Sequence, residues 1–283
     1  DAADAGPARP ARRSGRLTAA AVPAHRVPRL RRAAAALRSR GWDVAAFVAV
    51  VALAVFYSRH LTSWLVNDDE GSYLYAAWRL ALGERPYRDF LTPQLPAFLL
   101  PGGAVMAVAG PSVAAARGLA VAVTMLAGVV TWATARRLFG PVVAAIAVVV
   151  LLLMPDVFGV GRVYRPEPFM LAAQVLAVAA FARGAVPRPG REDPPARGWL
   201  VLSGALFGVA TLAKLFGPWS LGGLLLWLAV DGRRRRRPAG AIARDALAAL
   251  LPALALPNPL VDALTARYGP IGPCADNLAA AAD

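Results

Sequence analysis

Three stretches far apart in the chain carry side chains able to do acid–base and anion-binding chemistry. They are Asn67-Asp68-Asp69-Glu70, Arg162 to Glu167, and Lys214. A carboxylate at Asp68, Asp69 or Glu70 can take a proton from a hydroxyl as that oxygen attacks. Arg165 and Lys214 can hold a phosphate, the first as a planar fork and the second as a compact point charge. Lys214 is the only lysine among 31 basic residues, and it sits between Leu212 and Phe216 in an apolar segment. Each stretch also has a plainer reading. Asn67 can cap a helix running from Asp68 to Leu82, with Glu70 completing a capping box and the acids favouring the helix dipole. Gly83 and Pro86 then stop that helix. Pro166 suits a first helical position with an acid beside it, and Arg165 is then simply the ion partner of Glu167. Lys214 can snorkel to a membrane interface, as an arginine would. The weight toward chemistry comes from three consecutive acids at the edge of an apolar block, where unneeded charge is costly.

The elements that must position these residues are membrane helices. Of 283 residues, 58% are hydrophobic and 17% charged, and the mean hydropathy is +0.50. A soluble surface needs more polar cover than that. The apolar blocks run over Trp42–Tyr57, Leu95–Gly110, Val113–Ala135, Val142–Pro155, Pro168–Ala182, Trp199–Ala213, Trp219–Val230 and Ala241–Leu256. Several fall short of the ~20 residues of a perpendicular span. The expected fold is all-α, a polytopic transmembrane helical bundle of about seven spans with short interfacial helices in the first external loop. The block Leu95–Gly110, broken by Pro96, Pro101, Gly102 and Gly103, is expected to dip into or lie along the outer leaflet rather than cross. With that choice 22 basic residues fall inside and 9 outside, which satisfies the positive-inside rule. Asp68 to Glu70, Arg162 to Glu167 and Lys214 then all reach the external side.

Residues 1–40 hold ten Arg and four Pro with little periodicity, which predicts a disordered cytoplasmic tail near anionic headgroups. Residues 41–256 form the membrane module, and 257–283 read as a C-terminal tail. The net charge of +14 is membrane topology, since the arginines flank apolar blocks; a nucleic-acid face needs a folded polar surface carrying them. No nucleic-acid partner is expected. The single Cys274 permits no internal disulfide or cysteine metal site. His25 and His60 form no ligand cluster.

The same segments, in the same order, resemble the GT-C class of membrane-embedded glycosyltransferases, nearest the branch of protein O-mannosyltransferases and lipid A aminoarabinose transferases. The resemblance is carried by Asp69-Glu70-Gly71-Ser72-Tyr73-Leu74-Tyr75 and Gly83-Glu84-Arg85-Pro86-Tyr87-Arg88-Asp89-Phe90. It continues through Ala116-Arg117-Gly118-Leu119, Ala135-Arg136-Arg137-Leu138-Phe139-Gly140, Val163-Tyr164-Arg165-Pro166-Glu167 and Leu212-Ala213-Lys214. It implies an inverting transfer of a sugar from a polyprenyl-phosphate donor to a hydroxyl of a glycan, lipid or protein acceptor, at the external face of the plasma membrane.

By that match Asp69 is the base and Asp68 the fallback. Glu70 and Glu167 orient the acceptor or an arginine, and Arg165 and Lys214 hold the donor phosphate. Arg85 and Arg88 are further candidates for the phosphate, with turn and surface roles equally open. Some relatives use a divalent cation, and Asp68, Asp69 and Glu167 would suit Mg²⁺ or Mn²⁺; no cofactor is predicted. The chain departs from the family's pattern at Thr92-Pro93-Gln94-Leu95-Pro96, where a lysine is usual. Relatives are also usually longer, so the resemblance implies a fragment, or a shortened member that is inactive or works with a partner. A protein that binds or translocates the lipid carrier without catalysis is the alternative; it would share the cations but not need Asp69.

Overall fold

The computed structural model describes residues 26–63, 66, 68–187 and 194–257, with side chains from residue 37 onward. Residues 1–41 and 42–283 are two separate units. Of the first, the described stretch from Arg26 is helical. Most of the expected disordered tail, residues 1–25, lies outside the described residues. Asn67, the expected cap of the acidic helix, lies outside the described residues.

Among the described residues there are ten α-helices and no strand. Their ends follow local chemistry. α1 (Arg26–Ser58) is followed by α2 (Asp68–Ala81), which opens on three acids and stops before Gly83, whose φ is 86°. α3 is Pro96–Ala109 and α4 is Val113–Phe139. Ser112 caps α4 by accepting from the Ala115 N–H at 3.2 Å, and Gly140 closes it with φ 90°. Pro141 then opens α5 (Pro141–Leu153), and Pro155 both ends α5 and opens the short α6 (Pro155–Val160). Arg165 is extended, as a residue before proline prefers, and α7 (Pro166–Ala185) follows. α8 is Arg197–Ala213, α9 is Trp219–Arg234 and α10 is Ala239–Ala255.

Among the described residues three stretches are long and apolar enough to cross a membrane: Leu37–Ser58 of α1, α4 and α7. α3, α5 and α8 are apolar but shorter. At 1.5 Å per residue, α3 is about 21 Å long, short of a ~30 Å hydrocarbon core. α3 packs on α2, and α4 packs on α5 and α7. α7 also packs against α8, and α8 against α10. The α8–α10 approach depends on Gly204, where a Cβ would stand 2.1 Å from the carbonyl oxygen of Ala249. Small residues at such crossings let membrane helices touch backbone to backbone.

Side-chain hydrogen bonds mark the two ends of the bundle. At one end Arg136 donates to both carboxylate oxygens of Asp43, at 2.6 and 2.7 Å, joining α4 to α1. There too the buried Asp245 of α10 accepts from Arg197 at 2.9 Å and from Arg237. At the other end the Tyr57 hydroxyl donates to the Leu152 carbonyl at 2.6 Å, tying α1 to α5. α4, α7 and α8 all run between these ends, so the start of α4, the start of α7 and the end of α8 lie together.

Candidate functional site

Side chains advance by about 100° per residue around an α-helix, so three consecutive acids cannot all face one site. In α2 they divide. Asp68 and Asp69 are exposed, while Glu70 points inward and is 1% exposed. Arg117 of α4, 2% exposed, grips Glu70 with two parallel hydrogen bonds: Nε to Oε1 at 2.7 Å and Nη2 to Oε2 at 2.6 Å. Arg117 also donates to the Leu61 carbonyl. Glu70 Oε1 accepts the backbone N–H of Tyr164 at 3.0 Å. One buried ion pair therefore fixes α2, α4 and the 161–165 turn together.

Tyr164 is itself buried, and its hydroxyl donates to the Phe98 carbonyl at 3.3 Å. It lies over Gly102 so closely that a Cβ there would stand 1.6 Å from the phenol oxygen. Burial pushes the Tyr164 phenol well above its usual range. With Tyr164 anchored at backbone and ring, the next residue, Arg165, is directed back toward α2.

Four side chains then form a continuous chain of opposite charges. Arg165 Nη2 donates to Asp69 Oδ2 at 3.2 Å, and its Nε donates to Glu167 Oε2 at 3.4 Å. Lys214 Nζ donates to Glu167 Oε1 at 2.6 Å. Three of the four are half-buried, and Asp69 is the open end, with 61% of its side chain exposed. Lys214 stands at the C-terminal end of α8, and its loop is held by Gln174 of α7, which donates to the Gly217 carbonyl at 2.8 Å. Three sequence-distant stretches thus meet at one end of the bundle. Asp68 stands beside this chain of charges, on the exposed first turn of α2.

Arg85 and Arg88 are not brought to it. Both pair with Asp89 inside their own turn, Arg85 through its backbone N–H at 2.8 Å and its Nε at 3.2 Å, and Arg88 at 3.9 Å. The Arg85 N–H, and then its guanidinium, hold Asp89 below the usual carboxylate value. Tyr87 takes φ 69° in this turn, and its hydroxyl donates to the Gln94 carbonyl. Among the described residues no group of three or more His, Cys, Asp or Glu side chains could hold a metal ion.

Two participants carry no sequence assignment as site residues. Arg117 is legible only as part of a motif, since its partner lies 47 positions away. Tyr73 follows Asp69 by one turn of α2, packs half-buried over the Phe98 ring, and lies within the field of Asp69, Arg165 and Glu167. The spacing of Tyr73 from Asp69, four residues on one helix, is the signal that could have found it.

Among the described residues the chain is thus an all-helical membrane bundle with acids and cations joined at one end and arginines gathered at the other. The chain belongs to the dolichyl-phosphate-mannose-protein mannosyltransferase family, whose sequence profile matches residues 92–258. That stretch contains Arg117, Arg165, Glu167 and Lys214 and begins after α2. The structure is similar to that of the S. cerevisiae protein O-mannosyltransferase Pmt1-Pmt2 complex bound to the sugar donor, with a TM-score of 0.58 and 16% identity. That likeness covers 79% of this chain and 33% of the other. It is also similar to ArnT from Cupriavidus metallidurans bound to undecaprenyl phosphate, with a TM-score of 0.55 and 24% identity, over 81% of this chain and 43% of that one. At these identities the likeness is one of fold. The chain spans a third to less than half of the length of these two proteins. No curated protein matches it in sequence.

Proposed function

We propose that the chain moves a sugar, with inversion, from a polyprenyl-phosphate donor to an acceptor hydroxyl at the end of the bundle that carries α2. The observation that carries this reading is the chain of contacts from Asp69 through Arg165 and Glu167 to Lys214. It sets an exposed carboxylate against Arg165 and links it through Glu167 to a second cation, Lys214, with all four side chains at least partly open to solvent. Asp69 takes the proton of the acceptor hydroxyl, whose oxygen bonds to the anomeric carbon. The bond from that carbon to the phosphate oxygen breaks, and the charge left on the lipid phosphate is met by Arg165 and Lys214. Glu167 holds the two cations in place between turnovers. Asp68, exposed on the same turn, is the second candidate base. Glu70 acts through Arg117 and the Tyr164 backbone as a positioning residue. Arg85 and Arg88 shape their own turn. Solved proteins of this fold that hold a sugar donor and undecaprenyl phosphate support a lipid-linked donor here.

In this reading the end with Arg136, Arg183, Arg197 and the run Arg233 to Arg237 faces the cytoplasm, as the positive-inside rule asks. The N-terminus lies on that side, α3 stays in the outer leaflet, and the site faces outward from the plasma membrane. Incubating membranes that contain the chain with radiolabelled polyprenyl-phosphate sugars tests the reading. Label should move to an acceptor with the native chain and stay on the lipid with Asp69→Asn. Transport of the lipid without label transfer, undiminished in Asp69→Asn, would show a carrier instead.

A further inference from the structure

We propose that Tyr73 contacts the substrate, its phenol hydroxyl donating to an oxygen of the sugar phosphate that docks against the Asp69–Arg165 pair. The inference rests on the transferase reading and extends it to a residue with no role there. Of the tyrosines with described side chains, Tyr57, Tyr75, Tyr87 and Tyr164 all use their hydroxyls within the protein. Tyr57 donates to the Leu152 carbonyl, Tyr87 to the Gln94 carbonyl and Tyr164 to the Phe98 carbonyl, while Tyr75 accepts from Arg79. No described residue hydrogen-bonds the Tyr73 hydroxyl.

A tyrosine that merely marks the membrane interface would point outward from α2 toward headgroups. Tyr75 and Trp78 are the outward-facing aromatics of α2, at 43% and 40% exposure. Tyr73 lies two residues from Tyr75, about 200° around the helix, and faces the core of the site end. Its ring meets Phe98 edge-on at 5.3 Å. Phe98 is fixed in turn by Tyr164 at 4.7 Å and Phe169 at 5.3 Å. The phenol is thus a rigid arm, one helical turn above the proposed base, ending in an unused donor. Burial, and then the nearby Asp69 charge, hold its proton on. At neutral pH it offers a hydrogen to an anionic or hydroxyl oxygen, which the acids beside it cannot.

The test measures binding of two defined lipids to the purified full chain in nanodiscs: undecaprenyl phosphate and mannosyl-phosphoryl-undecaprenol. Tyr73→Phe keeps the ring on Phe98, and its melting temperature should match the native chain. Loss of one hydrogen bond to a charged or polar oxygen weakens binding about tenfold. A loss on both lipids assigns the contact to phosphate, and a loss only on the sugar-bearing lipid assigns it to the sugar. Tyr73→Leu, which removes ring and hydroxyl, should bind no better than Tyr73→Phe. Native affinity in Tyr73→Phe for whichever lipid the native chain binds overturns the inference, even if Tyr73→Leu binds poorly, because the ring would then serve packing alone. If the native chain binds neither lipid, the transferase reading fails first and takes this contact with it.

Discussion

Glu70 and Arg117 meet through two parallel hydrogen bonds, at 2.7 and 2.6 Å, with both side chains closed to solvent. Two charges removed from water are tolerated only when each satisfies the other and the remaining polar atoms find partners. Here the Leu61 carbonyl and the Tyr164 N–H supply those partners. The pair therefore sets the position of Arg165, one residue further along the chain.

Breaking that pair from one side leaves an uncompensated buried charge, at a cost of about 3–5 kcal/mol. Glu70→Ala and Arg117→Ala should each lower the melting temperature in detergent sharply. The double substitution should cost clearly less than their sum, since it leaves no orphan charge. Additive losses in a double-mutant cycle would mean the two residues do not act together.

Asp69 behaves differently because most of its side chain is in solvent. Asp69→Asn should leave the melting temperature unchanged while lowering turnover about 10²- to 10⁴-fold, the usual range for losing a general base. Binding of undecaprenyl phosphate should persist. Asp68→Asn, by contrast, should keep most of the activity. A native rate in the chain lacking both carboxylates would remove the acid–base mechanism altogether.

Asp69 and Glu70 also show how far the residues could be read without coordinates. The start of α2, the stops at Gly83 and Pro155, and the gathering of Asp69, Arg165, Glu167 and Lys214 follow from capping chemistry, proline positions and charge topology. Local pattern could not say that Glu70 turns inward, because an acid in a first turn looks the same whether it caps, catalyses or pairs. Its direction depends on Arg117, 47 residues away. Asp245 is the same case at the other end, an ordinary helical acid until Arg197 and Arg237 close on it. Arg85 and Arg88 are open to phosphate and turn roles in the sequence, and both lie against the neighbouring Asp89.

That turn gives a pH effect of known sign. The Arg85 N–H and side chain hold Asp89 below its usual value of 3.8. As pH falls, the unfolded chain takes up this proton before the folded one does. The turn's contribution is therefore whole above about pH 3.8 and is lost as pH falls through the lower folded value. Between about pH 5 and pH 3, the native chain should lose more thermal stability than Asp89→Asn. Equal losses across that range would mean that Asp89 is not held by Arg85.

Lys214 separates an interface anchor from a phosphate ligand. Its ammonium lies 2.6 Å from Glu167 and is about a third exposed, so the pair itself contributes about 0–1 kcal/mol. Lys214→Gln should accordingly melt close to the native chain, with Arg165 still paired to Glu167. If the ammonium holds phosphate, that substitution removes a charge-assisted hydrogen bond of about 1.5–3 kcal/mol. Undecaprenyl phosphate should then bind at least about tenfold more weakly, and added salt should narrow the gap between native and variant chains. Lys214→Arg keeps the charge but replaces a compact donor with a planar fork, so it should restore part of the affinity. Unchanged affinity in Lys214→Gln would make the lysine an anchor at the interface, leaving the donor phosphate to Arg165 alone.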